Sequence, residues 1–411
     1  MNTTYLMNSI WVVCASVFVF MMQMGFACCE SGFARSKNAC NIWLKNLLDF
    51  MVGAIVYYFI GFGLMYGDDW HGLIGINGFF NPFSQDLAIW QTYDGTLSPQ
   101  AFLLFQTMFC ATTATIISGS VAERFKFSTY ICVSAFMTGL VYPVIGHWIW
   151  GGGWLSQIGF SDFAGSGAVH LCGATAACVC AASVGPRIGK YVNGKAVAIP
   201  GHNIPMAMLG GFILWVGWYG FNPGSELAFD DTTIYTTVTT TLAASAGGLA
   251  AMAYTWIKYG KPDPTLTMNG ALGGLVAICT GVAEVSYVGS IIEGIIAGIM
   301  LPISVSFFEN KLHIDDPAGA ISLHGCSGFI GVILPGFLST ENGLFYGGGI
   351  ARLGAQILGD VCIVGFTALC VFILMTILKK SVGIRVSRET EMKGLDITEH
   401  GMEAYPQASN L

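Results

Sequence analysis

The chain has 411 residues, of which 54% are hydrophobic and only 10% are charged. Soluble domains carry about 25% charged residues, so this composition excludes an ordinary soluble domain and indicates an integral membrane protein. The 17 basic and 24 acidic residues give a net charge of -7 without a long basic cluster. Nucleic acid is therefore a poor candidate partner.

Eleven segments are apolar over the roughly 20 residues that a membrane-spanning helix needs. They run approximately over residues 9–33, 43–66, 100–121, 127–149, 165–186, 202–221, 234–258, 265–283, 288–308, 319–338 and 350–379. The first segment lacks the basic flank of a signal peptide and is longer than a signal-peptide core, so we expect it to remain as a membrane helix. The pattern predicts an all-α integral membrane protein with eleven transmembrane helices.

The basic residues predict the orientation of these helices. Every Lys and Arg except Arg352 lies in or beside one set of alternate connections, or near the C-terminus. The intervening connections carry acidic residues instead, such as Asp68, Asp69, Asp230 and Asp231. Because cytoplasmic loops have an excess of Lys and Arg, we expect the N-terminus outside and the C-terminus in the cytoplasm.

The composition changes near residue 381, where the chain becomes polar and charged. We predict a transmembrane domain over residues 1–380 and a cytoplasmic tail over residues 381–411. Most of the 13 cysteines lie within apolar runs and show no zinc-binding spacing, so reduced, packed thiols are expected. Motifs of hydrolases, metalloproteases, nucleotide-binding enzymes and kinases are absent from the sequence. We therefore expect neither an enzyme nor a metal or cofactor site.

One motif occurs twice. The sequence "DFAGSGAVH", from Asp162 to His170, is echoed by "DPAGAISLH", from Asp316 to His324. The two copies open the fifth and tenth segments, which the orientation pattern places in opposite directions. This spacing predicts an inverted repeat of five plus five helices, followed by an eleventh. Helical geometry throughout would separate each aspartate from its histidine by about 12 Å along the axis.

The repeat bears on the two histidines. A single histidine within the membrane is explained equally well by a functional site and by a structural hydrogen bond between helices. Two histidines at matched repeat positions favour a pair that lines a pore, so we assign His170 and His324 to one site. Asp162 and Asp316 precede helix starts, where capping and direct ligand contact are compatible roles.

Aromatic residues leave two interpretations open. Trp148, Trp150 and Trp154 fit an anchor belt at the membrane interface, and they fit equally a collar that attracts cations. Phe109 and Phe221 are core residues unless further evidence places them elsewhere.

Several motifs together resemble the ammonium transporter (Amt/Rh) family, and its Amt branch in particular. They include "FQTMF", "GSVAERFKF", "HWIWGGGW", "GHNIPM", "GWYGFNPGS" and "DDPAGAISLHG", in the family's order along nearly the whole chain. One departure is "FACCESGFARSKN", which has Glu30 in or near the first helix and is more similar to plant-type and sensor-associated members.

The resemblance implies specific roles for residues near the outer face. Trp150, Ser225 and Phe109 would form an ammonium recruitment site, which Asp162 would support. Phe109 and Phe221 would form a stacked gate below that site.

Deeper in the pore, the resemblance implies that His170 and His324 are twin histidines that share a hydrogen bond, with Asp316 as a structural support. It also implies a homotrimer in the cell (inner) membrane, with one pore per subunit. The tail would be the region that meets a PII-type signal protein or a fused signalling domain.

The function implied is ammonium transport by cation recruitment, deprotonation and passage through a hydrophobic twin-histidine pore. A bare ammonium ion is costly to place in a medium of low dielectric constant, whereas neutral ammonia is not. The alternative is an ammonium sensor, which binds ammonium with little transport and signals through a cytoplasmic domain or partner.

Overall fold

Long helices form almost the whole of the computed structural model, which describes residues 3–406. Eleven of them are α1 (Thr3–Phe33), α2 (Ser36–Tyr66), α3 (Pro99–Val121), α4 (Phe127–Gln157), α5 (Ser166–Val184), α6 (Ile204–Gly224), α7 (Asp231–Tyr259), α8 (Pro264–Ile278), α9 (Tyr287–Asn310), α10 (Ile321–Leu338) and α11 (Ala351–Ser381). The short helices α12 (Arg388–Lys393) and α13 (Leu395–His400) follow.

Short elements occupy the connections. The connection between α2 and α3 carries the strands β1 (Asp69–Trp70) and β2 (Ile74–Gly75). The connection between α5 and α6 carries β3 (Tyr191–Val192) and β4 (Lys195–Ala196). Each pair is a two-stranded antiparallel ribbon. One-turn helices lie at Ala88–Thr92 and Leu344–Tyr346.

A helix lies in each of the eleven segments that the sequence pattern predicts. Within residues 3–406, nine helical segments are long and apolar enough to cross a membrane. The other two segments are α7 and α8. Helix α8 has 15 residues, fewer than the roughly 20 that span a bilayer, and α7 is rich in threonine, alanine and glycine. The fold is therefore a helical, multiply spanning membrane architecture.

Glycines bring the helices into close contact. On α1, a Cβ added at Gly32 would lie 2.5 Å from the backbone nitrogen of Ala207 in α6. On α9, a Cβ at Gly298 would lie 2.1 Å from the carbonyl oxygen of Gly247 in α7. Small residues allow membrane helices to pack backbone to backbone. These contacts join α1 to α6 and α7 to α9.

The two repeat motifs share a local geometry that differs from continuous helix. Each aspartate lies in a turn, and the third residue after it is a glycine with positive φ, 98° at Gly165 and 72° at Gly319. The histidines then lie on π-helical segments, Ser166–Leu171 and Ile321–Cys326. The chain between aspartate and histidine is therefore not helical throughout, because a left-handed glycine turns it between the aspartate and the helix.

An ion-pair network joins several connections at one end of the bundle. Arg187 donates to Glu123 at 2.8 Å and, through two nitrogens, to both carboxylate oxygens of Asp315 at 2.8 and 2.9 Å. Arg35 also contacts Glu123. Such bidentate, buried pairs hold connections in a defined geometry.

Acid is expected to weaken this network. Burial alone would raise the pKa of Asp315, but hydrogen bonds from Arg187 and the charges of Arg124 and Arg187 lower it to about 2. A carboxylate with a lowered pKa stabilises the folded state above its unfolded pKa near 4, and the contribution is lost as pH falls towards 2. We expect a loss of about 2 kcal/mol over this range. Thermal unfolding of Asp315→Asn in detergent should be less sensitive to acid, and equal sensitivity in both proteins would contradict the assignment.

The polar stretch after α11 is docked on the same end of the bundle. Both carboxylate oxygens of Asp396 accept hydrogen bonds from backbone nitrogens near the start of α2, Asn41 at 2.8 Å and Cys40 at 3.0 Å. Lys37 donates to the carbonyl oxygen of Glu391 at 2.8 Å. Residues 1–2 and 407–411 of the two predicted domains lie outside the described residues.

Candidate functional site

A cavity of about 310 Å³ lies beside the end of α6, and we name it the Trp150 cavity. Its lining is mostly aromatic and consists of Tyr66, Tyr93, Phe102, Phe105, Gln106, Phe109, Ile149, Trp150, Phe163, Ser225 and Leu227. The structure thus brings together three residues that the sequence comparison assigned to recruitment. They come from α3, α4 and the end of α6, which are distant along the chain.

Hydrogen bonds to the backbone orient two of these side chains. The indole nitrogen of Trp150 donates to the carbonyl oxygen of Asp162 at 2.7 Å. The hydroxyl of Ser225 donates to the carbonyl oxygen of Phe221 at 2.8 Å. Because the Ser225 proton is used in this way, the lone pairs of its oxygen remain available to a cation in the cavity.

Two phenyl rings separate the Trp150 cavity from the histidines. Phe109 and Phe221 stack with ring centroids 4.0 Å apart and planes 14° from parallel. Both side chains are buried, and the Phe221 ring lies 5.3 Å from the His170 ring. The stack leaves no room for a hydrated ion unless one of the rings moves.

The two histidines are in direct contact beyond the stack. Nδ1 of His170 lies 3.1 Å from Nδ1 of His324, so one ring donates and the other accepts. The ring of His170 also stacks on Trp218, with centroids 5.4 Å apart. Nε2 of His170 is buried and has no hydrogen-bond partner among residues 3–406. This pair can accept or pass a proton in an otherwise apolar setting.

Asp162 acts on the backbone and does not line the Trp150 cavity. Its carboxylate accepts hydrogen bonds from the backbone nitrogens of Gly165, Gly167 and Ala168, each at 2.9 Å. It also accepts one from the Thr280 hydroxyl at 2.7 Å. Burial raises the pKa of Asp162, and the hydrogen bonds from Ala168 and Thr280 act in the opposite direction. The aspartate therefore caps the start of the His170 segment.

Asp316 has the corresponding position before His324. Its Oδ2 accepts from the backbone nitrogen of Ile321 at 2.7 Å, five residues along, as Asp162 accepts from Gly167. Burial raises the pKa of Asp316 to about 6, with partial compensation from the Ile321 and Ala320 hydrogen bonds. Both repeats thus use an aspartate to hold the segment that carries a histidine.

Two residues to which the sequence analysis assigned no role, Trp218 and Thr280, complete the site. Trp218 forms one wall against His170, and it stands in the motif "GWYGFNPGS" three residues before Phe221. Thr280 holds Asp162 and begins the sequence "TGVAE", which resembles "GSVAE" at residues 119–123. Those motifs were available as signals, but only the fold shows which side chains face the histidines. Within residues 3–406, no group of three His, Cys, Asp or Glu residues is arranged to hold a metal ion.

Fold and site together define a class: a multiply spanning helical membrane protein with a buried histidine pair beyond an aromatic cavity. A sequence model described as the Ammonium Transporter Family matches residues 10–405. The chain therefore belongs to the ammonium transporter family, and it is a multi-pass protein of the cell membrane.

Named relatives and solved structures agree with this membership. The chain is 43% identical to ammonium transporter Amt2 of Archaeoglobus fulgidus, over 97% of this chain and 88% of that protein. Amt2 of Methanocaldococcus jannaschii is 42% identical, over 97% and 91%. A solved structure named Sensor Amt Protein is 38% identical, with a TM-score of 0.90, over 96% of this chain and 98% of that one. These relatives are named as transporters or a sensor, not as enzymes.

Proposed function

We propose that the protein carries ammonium across the membrane by binding the cation in the Trp150 cavity, removing its proton at the histidine pair and passing neutral ammonia. The observation that carries this proposal is the contact between His170 and His324, buried behind the stack of Phe109 and Phe221. Burial of titratable side chains within a membrane costs free energy, so their presence in an apolar passage supports a functional role.

Recruitment uses the aromatic lining of the cavity. The faces of Trp150 and Phe109 attract a cation, by about 2 kcal/mol when the cation is desolvated. The Ser225 oxygen accepts a hydrogen bond from the ammonium N–H. Asp162 supports this site through its backbone carbonyl, which holds the Trp150 indole.

Deprotonation follows at the stack. An ammonium ion that enters the apolar passage loses its hydration, which strongly favours neutral ammonia plus a proton held elsewhere. Nε2 of His170 has no other partner in the described chain, so it can take the proton. The proton then moves along the histidine pair while ammonia passes beside it, and one net positive charge crosses per ammonium ion.

The assembly that we propose has eleven spans, with the N-terminus outside and the C-terminus in the cytoplasm. Residues 1–380 form the transmembrane domain and residues 381–411 the cytoplasmic tail. Three subunits associate, each with its own passage, and the tail meets a PII-type signal protein or a fused signalling domain. Asp316 supports the second histidine segment, as Asp162 supports the first.

Transport is tested by current recording on the full chain in proteoliposomes. A jump in ammonium concentration should evoke a sustained current, because each ammonium ion delivers one charge. An equal potassium jump should evoke a current at least about 100-fold smaller, because potassium has no proton to give up. Potassium currents of similar size would contradict deprotonation.

A second candidate function is ammonium sensing, which the similarity to the Sensor Amt Protein favours. A sensor would bind ammonium in the same cavity and conduct little. Ammonium binding without any sustained current in the proteoliposomes would reject transport and support this alternative.

A further inference from the structure

A second cavity, of about 30 Å³, lies on the other side of the histidine pair, and we name it the Glu30 cavity. His324 and Glu30 both line it, together with apolar residues and the amide of Asn269. One water needs about 10–15 Å³ of such space, so the cavity has room for one or two molecules of the size of water or ammonia.

Along α6, the Glu30 cavity lies nearer the start of the helix than the Trp150 cavity: Leu214 and Trp218 line the Glu30 cavity, whereas Ser225, just past the helix end, lines the Trp150 cavity. Helix α6 begins beside Gly32, which is two residues after Glu30, and it ends just before Ser225. Phe26, about one helical turn before Glu30 on α1, has its ring 5.8 Å from the ring of His324. A molecule in the Glu30 cavity lies between His324 and Glu30, because both residues line it.

Glu30 is held in position by its neighbours. Its Oε2 accepts a hydrogen bond from Nδ2 of Asn46 at 3.0 Å. Gly119 on α3 leaves space for the side chain, since a Cβ there would lie 3.2 Å from Cγ of Glu30. The side chain is 4% exposed. The orientation of the carboxyl group is therefore set by α2 and α3.

The charges near Glu30 do not neutralise it by direct contact. On α2, Lys45 and Asp49 face this region, and on α4 the Tyr130 hydroxyl donates to Asp49 at 2.5 Å. The ammonium group of Lys45 lies over the Tyr130 ring, 5.4 Å from its centroid. None of the ion pairs within residues 3–406 includes Glu30. It is the one carboxyl group that lines this cavity.

We infer that Glu30 is the proton acceptor on the far side of the histidine pair and returns the proton to ammonia in the Glu30 cavity. This inference rests on the proposed function. The proton taken from ammonium at His170 leaves His324 for the Glu30 carboxylate, directly or through one water. The O–H bond of the carboxylic acid then breaks as ammonia takes the proton, so ammonium and the carboxylate are regenerated and no proton is lost.

The test uses Glu30→Gln in the full chain, in proteoliposomes. Glutamine has nearly the same shape, and its carbonyl oxygen can still accept from Asn46, but it cannot take up a proton. We expect the ammonium-evoked charge transfer to fall by about 100-fold, the scale of a lost general acid-base group. Glu30→Asp, which keeps a carboxyl group, should restore part of the current.

A matched control is Glu293→Gln. Glu293 lies on α9, is fully buried, and both of its carboxylate oxygens are without a hydrogen-bond partner among the described residues. Glu293 does not line either cavity. The current of Glu293→Gln should therefore stay within about twofold of that of the unmodified protein. Charge transfer by Glu30→Gln at the level of this control would overturn the inference and leave the proposed function intact.

Infrared difference spectra on adding ammonium separate the two proposals. In the unmodified protein the carbonyl stretch of a protonated carboxyl group should change, and Glu30→Gln should lack that change. If the protein carries no current but this band responds, the transport proposal fails, and Glu30 is a group whose protonation changes with ammonium but which does not serve transport. If the band is the same in both proteins, the assignment of Glu30 is wrong.

Discussion

Replacement of His170 by asparagine is expected to lower the ammonium-evoked current by about 100-fold, because the amide cannot titrate. Asparagine can still hydrogen-bond to Nδ1 of His324, which lies 3.1 Å from Nδ1 of His170 in the structure. The variant therefore removes proton transfer and keeps a polar group in the passage. Current recording on proteoliposomes, with ammonium jumps of equal size, measures the effect.

His313→Asn is the control for this substitution. His313 is exposed and has a positive φ of 54°, a conformation that asparagine tolerates well. Its current should equal that of the unmodified protein. Undiminished current in His170→Asn would show that the histidine pair does not relay the proton, even if the protein transports ammonium.

Replacement of Asp162 by alanine is expected to lower the free energy of unfolding by about 3–5 kcal/mol. The change leaves three buried backbone nitrogens and the Thr280 hydroxyl without their acceptor. The turn that positions Trp150 and His170 should loosen as well, so ammonium binding should weaken. Thermal unfolding of the full chain in detergent measures the stability loss.

Asp263→Ala provides the comparison for Asp162→Ala. Asp263 also caps a helix, accepting from the backbone nitrogens of Thr265 and Leu266 at the start of α8, but it is only partly buried. Loss of such a cap costs about 1 kcal/mol. An equally small loss for Asp162→Ala would mean that the turn is stabilised by other contacts.

Much of the site followed from the repeated motif. The spacing of Asp162 and Asp316 before two histidines predicted two related helix starts, and the structure has an aspartate cap at both. Nothing in that spacing indicated the glycine turns or the π-helical segments, because these depend on how α5 and α10 pack against their neighbours. Helix periodicity describes one helix at a time and carries no information about such contacts.

By itself, the sequence determined the membrane class and the positions of the long helices, because an apolar run long enough to span a bilayer can be recognised from consecutive residues alone. It also determined the family, through motifs spread along nearly the whole chain. Only the tertiary structure decided that Trp218 lies against His170 and that Glu30 shares a cavity with His324. Those contacts join helices far apart in the chain, and they depend on close packing of side chains that no local pattern encodes.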